Sequence, residues 1–202
     1  MTSPTRDRIL TVASELFIEQ GYDATSLREI ADRLGFTKAA LYYHFQSKEQ
    51  LFAALLEPAA ALVRELVERL EDADDIEGWA EALEWVTGKV FENMDIFRLV
   101  ERNRTAMTNL HETLEFLRDH MTMHTRIEAA VRAKSTSLSD QVRMVAALGA
   151  VTGFDDWAPR LLGESPPDQL HAELVAAVRD ILRLPREPAA ARPRKRSVTA
   201  TA

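Results

Sequence analysis

Two tyrosines and a histidine, Tyr42-Tyr43-His44, stand in a row between Lys38 and Lys48. Tyrosine offers an apolar ring to thymine methyls or sugars and a hydroxyl to phosphate, so a pair of them can brace a helix in a DNA groove. His44 and Lys48 then fall where the nucleic-acid backbone would pass. Lys48 also falls at a helix start, where free N–H groups and the helix dipole favour a phosphate. The plainer reading of the same residues is that one tyrosine packs inside and the lysines are merely solvated.

These side chains need elements to aim them. Ile9, Val12, Ala13, Leu16 and Phe17 recur at helical spacing after a start near Pro4, and Gly21 stops the run. Ser26 with Glu29 forms a capping-box pattern ahead of Leu27, Ile30, Ala31 and Leu34. Gly35 suits a left-handed helix end, and Thr37 can cap a third helix over 38–45. A small residue at the crossing, a glycine in the turn and an apolar lock on the second helix define a helix-turn-helix, and Ala31, Gly35 and Leu41 fill those places. Leu41 and Phe45 then point inward, which leaves Lys38, Ala39, Tyr42 and Tyr43 facing out, on a helix of a size a major groove admits. Ser47 with Gln50 caps a fourth helix carrying Leu51, Phe52, Leu55 and Leu56, with Pro58 as a point of kinking or restart.

Helical periodicity continues through Leu62, Leu66 and Leu70, breaks over the acidic stretch 72–78, and resumes with Trp79, Leu83, Val86 and Val90. Further helices are expected over 97–107, 110–134, 139–154 and 168–182, and no useful strand-like alternation occurs. The expected organisation is all-α: an N-terminal three-helix helix-turn-helix DNA-binding domain over 1–56, a larger helical domain over 57–184, and a disordered basic tail over 185–202.

Composition agrees. The 202 residues are 46% hydrophobic and 28% charged with only 7 glycines, an ordinary globular balance poor in turn residues. The net charge of −7 is unevenly spread, near −1 over 1–56, −10 over 57–184 and +4 beyond. That distribution speaks against a protein that coats nucleic acid but leaves a local reading head possible. With no cysteine, disulfides, thiolate metal sites and cysteine nucleophiles are excluded. The chain's start has no secretion-signal layout and no run reaches the roughly 18 apolar residues of a membrane span, so a cytoplasmic protein is expected.

Other candidate chemistry is weaker. His120 and His124, one turn apart with Glu128 beyond, could share a metal, but two histidines without a fixed third ligand read as solvated side chains or a hydrogen-bonded pair, and no metal or other cofactor is expected. Asp155-Asp156-Trp157 reads as a solvated helix end rather than a cation site. The sequence holds no Gly-rich phosphate loop, no Gly-x-Ser-x-Gly elbow and no His-Glu-x-x-His, so an enzyme, which would have to use scattered carboxylates and histidines, is the rival class.

Residues 5–56, TRDRILTVASELFIEQGYDATSLREIADRLGFTKAALYYHFQSKEQLFAALL, resemble the N-terminal DNA-binding domain of TetR-family transcriptional regulators. The order of Phe17, Gly21-Tyr22, Thr25-Ser26, Ile30-Ala31, Gly35, Leu41 to Phe45 and Lys48 carries the resemblance, over about a quarter of the chain. It implies that Ser26, Thr37, Tyr42 and Lys48 position the DNA backbone and that Arg28, Lys38, Ala39, Tyr43 and His44 lie at or near base edges. Where the family often has glycine or threonine near position 40, Ala39 and Ala40 leave few hydrogen-bonding groups, which shifts base discrimination to Arg28, Lys38 and the tyrosines.

The resemblance further implies that the larger domain binds a ligand and dimerises, with the fourth helix linking pocket to head. Trp79, Trp85, Phe91, Phe97, Met107, Phe116, Met121 and Met123 are the candidate lining of a pocket for a small apolar or aromatic molecule, with plain core packing the competing role for each. Leu170, Leu174, Ala177, Ile181 and Leu184 follow the 4-3-4-3 spacing of a helix seam, and Ala146, Ala147, Gly149, Ala150 and Gly153 permit close helix approach. These residues suggest a four-helix interface between two copies, against a seam that packs inside one subunit. The expected protein is a homodimer that binds a palindromic double-stranded DNA operator and represses until a small molecule releases it, with no membrane partner. The alternatives are a regulator controlled by a protein partner or by no ligand, and a helical enzyme. The tail's Arg192 to Arg196 could touch phosphates but serves more simply as a solubilising end.

Overall fold

Pro4 lacks the backbone N–H that a first helical turn cannot use, and it opens a helix at the edge of what the computed structural model of the chain describes: residues 4–110, 115–135, 137–154, 162 and 165–185, with 115–121 by backbone alone. The described residues form ten helices and no strand. They are α1 (Pro4–Glu19), α2 (Leu27–Leu34), α3 (Lys38–His44), α4 (Lys48–Asp72), α5 (Ile76–Glu92), α6 (Met94–Arg102), α7 (Arg104–Leu110), α8 (Glu115–Lys134), α9 (Leu138–Thr152) and α10 (Pro167–Leu182). None is long and apolar enough to cross a membrane.

The sequence signals for the first four helices act as read. Ser26, Thr37 and Ser47 each accept a backbone N–H three residues on, and Gly35 turns left-handed at φ 69° while the Phe36 N–H closes on the Ala31 carbonyl at 2.9 Å. The capping box at α2 is only half made. The Glu29 carboxylate, instead of returning to its own helix start, accepts the Gln20 side-chain amide at 2.9 and 3.0 Å. That bond ties the end of α1 to the first turn of α2.

α4 runs unbroken for 25 residues through Pro58, so proline neither ends nor restarts it, and the boundary at 56/57 falls inside one helix. Proline in a helix interior costs about 3 kcal/mol. Its two flanks outweigh that: Leu51, Phe52 and Leu56 are buried in the core around α1 to α3, and Leu66 and Leu70 in the core of the larger domain. At roughly 1.5 to 3 kcal/mol per fully buried side chain, five such anchors hold the helix through the defect.

The helix expected over 97–107 is two helices. They break at Asn103, which ends α6 and leads into α7. Both lie against the N-terminal bundle, with Leu99 and Ala106 buried in the same core as Ile9, Phe17, Leu41 and Phe52. The N-terminal core is therefore completed by residues some fifty positions beyond it. In the larger domain α5, α9 and α10 pack on one another around Trp79, Leu83, Met144, Ala147 and Val178, while α8 packs along α4.

Arg179 on α10 is only 6% exposed and is met by Glu84 at 2.6 Å, Glu77 at 2.5 Å and the Pro185 carbonyl at 2.5 Å. Its hydrogen bonds to the two carboxylates, Glu84 first, outweigh the burial that works against the charge. This triad clamps α10 to α5. Arg179→Leu strands those carboxylates and is expected to cost about 3 kcal/mol, a fall of roughly 6 to 12 °C in the thermal midpoint of a domain this size when followed by circular dichroism.

Candidate nucleic-acid interface

Seven residues are too few to hold a helix in water, so α3 exists because its inner face is bought by the core. Leu41 is fully buried and Phe45, its C-terminal cap, nearly so. Lys38, Ala39, Tyr42 and Tyr43 are left exposed, Tyr43 to 87% of its surface. The Lys38 ammonium sits 5.4 Å from the Tyr42 ring centre, and the Tyr43 ring stands edge-on to His44 at 5.3 Å. Ser26 and Thr37, at the two helix starts, and Arg28, 3.7 Å from Asp32 across one turn, are exposed on the same bundle. An exposed outer face of rings, hydroxyls and cations on a helix locked from beneath can enter a groove without unfolding anything.

Lys48 has a structural part that the sequence did not show. Its ammonium donates to the carbonyls of Tyr22 at 2.8 Å and Thr25 at 3.0 Å and lies 4.0 Å over the Tyr22 ring. Two of its three N–H donors thus hold the α1–α2 turn, and one is left for a phosphate. The same turn is held throughout. Gly21 adopts φ 91°, Thr25 is buried and donates to the Gly21 carbonyl at 2.8 Å, and the Tyr22 ring stacks with Phe17 and Phe52.

The Tyr22 hydroxyl donates to Glu49 at 3.0 Å. Burial first, and that carboxylate second, push the phenol far above its ordinary value, so it remains a donor. The Glu49 carboxyl is held below the usual range by its own backbone N–H, then by the Ser47 hydroxyl, with smaller help from Tyr22 and Lys48.

The residue that sequence reasoning missed is Asn103. It is 3% exposed and makes three hydrogen bonds: its carbonyl accepts the Tyr22 N–H at 2.6 Å, and its amide donates to Phe17 at 3.1 Å and to Leu99 at 2.7 Å. Its own N–H turns back to Val100, so the Leu99 carbonyl would lack a helical donor, and the Asn103 side chain supplies one. One amide therefore breaks α6, caps it, and joins it to the turn that launches α2. An asparagine in a helical stretch is the only local sign of this.

The described residues among those expected to line a pocket do not converge. Trp79 is fully buried in the core of the larger domain, and Met123 is also buried. Trp85 is half-buried beneath the Arg69 guanidinium at 4.2 Å, and Phe97 is half-buried on α6. Met107 packs against the N-terminal core instead, because α7 folds onto the head. Phe91 lies 6.2 Å from Phe154 and 5.4 Å from the His171 ring. An open depression of about 410 Å³ lies elsewhere, at the end of the bundle among Asp74, Lys134, Asp140, Arg143 and Arg183, and none of the six described candidates lines it. The side chains of Phe116, Met121 and His120, the 155–157 stretch and the basic tail from 186 fall outside the described residues, among which no cluster of three metal-ligating side chains occurs.

The expected helix seam is divided. Leu174 is buried in its own subunit and Ile181 and Leu170 are half-buried, because α10 turns that face onto α5 and α9. Ala146, Gly149 and Ala177 are exposed, with Ala150 and Gly153 half-buried. The larger exposed apolar side chains are ones the seam pattern left out: Leu138, Val142 and Val145, exposed by 75, 58 and 56% along one face of α9.

A family profile described as bacterial regulatory proteins, tetR family, matches residues 9–55. The transcriptional activator FasR of Mycolicibacterium smegmatis is 48% identical over 52 residues, 26% of this chain and 24% of FasR, so this chain matches only about a quarter of that relative's length. Likeness to solved structures runs through the whole fold. A transcriptional regulator of the TetR/AcrR family from Thermobifida fusca is 30% identical with a TM-score of 0.51 and covers 87% of this chain and 97% of its own. SmeT, solved as its triclosan complex, shares the fold at a TM-score of 0.61 and 22% identity, over 87% of this chain and 91% of its own.

Asn103→Ala would leave a buried N–H and two buried carbonyls without their partner. A loss of about 3 kcal/mol is expected from such orphaned groups, read as a lowered thermal midpoint. Asn103→Asp, which keeps the acceptor but turns a charge on two carbonyls, should give no rescue.

Proposed function

The chain belongs to the TetR family of transcriptional regulators, and from that membership we propose that it acts in the cytoplasm as a repressor, binding a palindromic operator as a homodimer until a small apolar or aromatic effector releases it. It is a regulator rather than an enzyme. The observation that carries the DNA half of the proposal is the outer face of α3, where Lys38, Tyr42 and Tyr43 stand exposed over a fully buried Leu41. In this reading Ser26, Thr37 and Tyr42 fix the head on phosphates and sugars, and Arg28, Lys38, Ala39, Tyr43 and His44 meet base edges or their surroundings. Lys48 holds the turn beneath them and gives its last donor to a phosphate.

Two heads are required to read a palindrome, in major grooves roughly 34 to 36 Å apart. The exposed face of α9 supports a second copy as its cover. Leu138, Val142 and Val145 recur at helical spacing, and the exposed Ala146 and Gly149 let a partner helix approach closely.

For the effector, the best-supported place is beside Phe91, Phe154 and His171, where the buried His171 Nε2 has no hydrogen-bond partner among the described residues. A molecule with an aromatic body and one polar group would suit it, in keeping with a fold neighbour, SmeT, solved with triclosan. Release then needs only that the effector bind one head separation better than the other, since a ligand shifts an equilibrium by its differential affinity. The dispersal of the other candidate lining residues favours a second reading, a body that only dimerises or binds another protein. Repression is proposed because two chains of 22.7 kDa on a promoter obstruct it. FasR, an activator, has a head 48% identical, so the sign of regulation is not set in the head.

The protein should enrich a palindrome from a random duplex library, and Tyr42→Ala should weaken binding to the winner by about 1 to 3 kcal/mol. No enrichment at modest salt would overturn the reading. Val142→Asp should shift sedimentation from dimer to monomer and cost at least tenfold on the palindrome with helicity intact. An unchanged sedimentation coefficient would place the interface elsewhere.

A further inference from the structure

The head carries six lysines and arginines against seven acids before residue 57, yet these cations are not treated alike. Arg28 and Arg33 lie within 3.7 and 3.6 Å of Asp32 and Glu19. The other four rest on aromatic rings: Lys38 over Tyr42, Lys48 over Tyr22, Arg6 over Phe45 at 4.9 Å and Arg8 over Phe36 at 5.5 Å. Among the described residues neither Arg6 nor Arg8 has a carboxylate within ion-pair distance. A ring holds a guanidinium in place without cancelling its charge, so a head of nearly zero net charge keeps its uncompensated positive charge beside its aromatic residues.

The positions of those rings matter. Phe36 lies just before the Thr37 cap of α3, and Phe45 just after His44, its last residue. α3 is about 10 Å long, so Arg6 and Arg8, from the first turns of α1, stand near its two ends. A helix with its side chains nearly fills a major groove about 12 Å wide. Groups on its tip then meet the bases, and groups beside it meet the groove's phosphate walls.

We propose that Arg6 and Arg8 are two further DNA-phosphate contacts, held on Phe45 and Phe36 so that their guanidinium forks flank the recognition helix. The proposal rests on the DNA-reading role above and adds two contacts from α1, an element outside the helix-turn-helix. Guanidinium suits phosphate because its N–H groups pair with two oxygens at once. Neither arginine has a carboxylate to leave first, as Arg28 would.

The test measures the affinity of the full-length protein for its selected palindrome and for a scrambled duplex, each across a range of potassium chloride concentrations. Each lost phosphate contact lowers the slope of log affinity against log salt by about 0.9 per arginine. The homodimer carries each arginine twice, so Arg6→Ala and Arg8→Ala should each lower the slope by about 1.8 on both duplexes, with about a sixtyfold loss at 0.1 M salt that follows from the same slope. Arg6→Lys and Arg8→Lys should keep the wild-type slope, and Arg33→Ala should change nothing. A wild-type slope in both alanine variants, whether or not affinity falls, overturns the proposal while leaving the DNA-reading role intact. No binding by the wild-type protein overturns both. A melting curve on each variant separates a lost contact from a lost fold.

Discussion

The hydrogen bond from the Tyr22 N–H to the Asn103 side chain, 2.6 Å long and sealed from water, is the constraint on which the geometry of the head depends. A buried N–H must be satisfied, and this one belongs to a turn bent by a left-handed Gly21, past the end of α1. The Tyr22 carbonyl is taken by Lys48 and its hydroxyl by Glu49. Every polar group of Tyr22 is thus met by a side chain distant in sequence, Asn103 between α6 and α7 and Lys48 and Glu49 in the first turn of α4. What these bonds fix is the start of α2, and through the Ala31–Leu41 crossing, the pitch of α3.

α4 is the second determinant of shape. At about 37 Å it is the longest element among the described residues, and its two ends are buried in two different cores. A proline in its middle would divide an isolated helix. Here each half is anchored by apolar side chains on its own side, so the defect survives as a weakened point rather than an end. Arg126, bonded to Glu71 at 2.6 and 2.8 Å, adds a forked contact from α8 near the far end, and hydrogen bonding to that guanidinium holds the Glu71 carboxyl below its ordinary range.

What could be read from sequence was what is decided locally. The caps Ser26, Thr37 and Ser47, the left-handed Gly35 and the inward Leu41 and Phe45 depend on neighbours a few residues away, and the order of these residues carried the family resemblance as well. Lys48 was found, but its second part was not, because two of its donors go to the Tyr22 and Thr25 carbonyls, more than twenty positions earlier. Asn103 escaped for the same reason, as did the seats of Arg6 on Phe45 and Arg8 on Phe36, since each depends on a partner that periodicity cannot supply. The α10 seam showed the limit of pattern alone: a 4-3-4-3 stripe states that a helix face is apolar, and the neighbouring α5 and α9 decide that much of it is already covered.

The N-terminal core has an implication for how such proteins can be recombined. The stretch matched by the family profile ends at residue 55, and a chimera cut there would keep the whole profile. The physical unit is larger, because Leu99, Asn103 and Ala106 close that core from α6 and α7. A head transplanted without them would carry an uncovered apolar surface and an orphaned turn, whereas one moved together with α6 and α7 would bring its own floor. The boundary of the family profile and the boundary of folding are different lines in this chain.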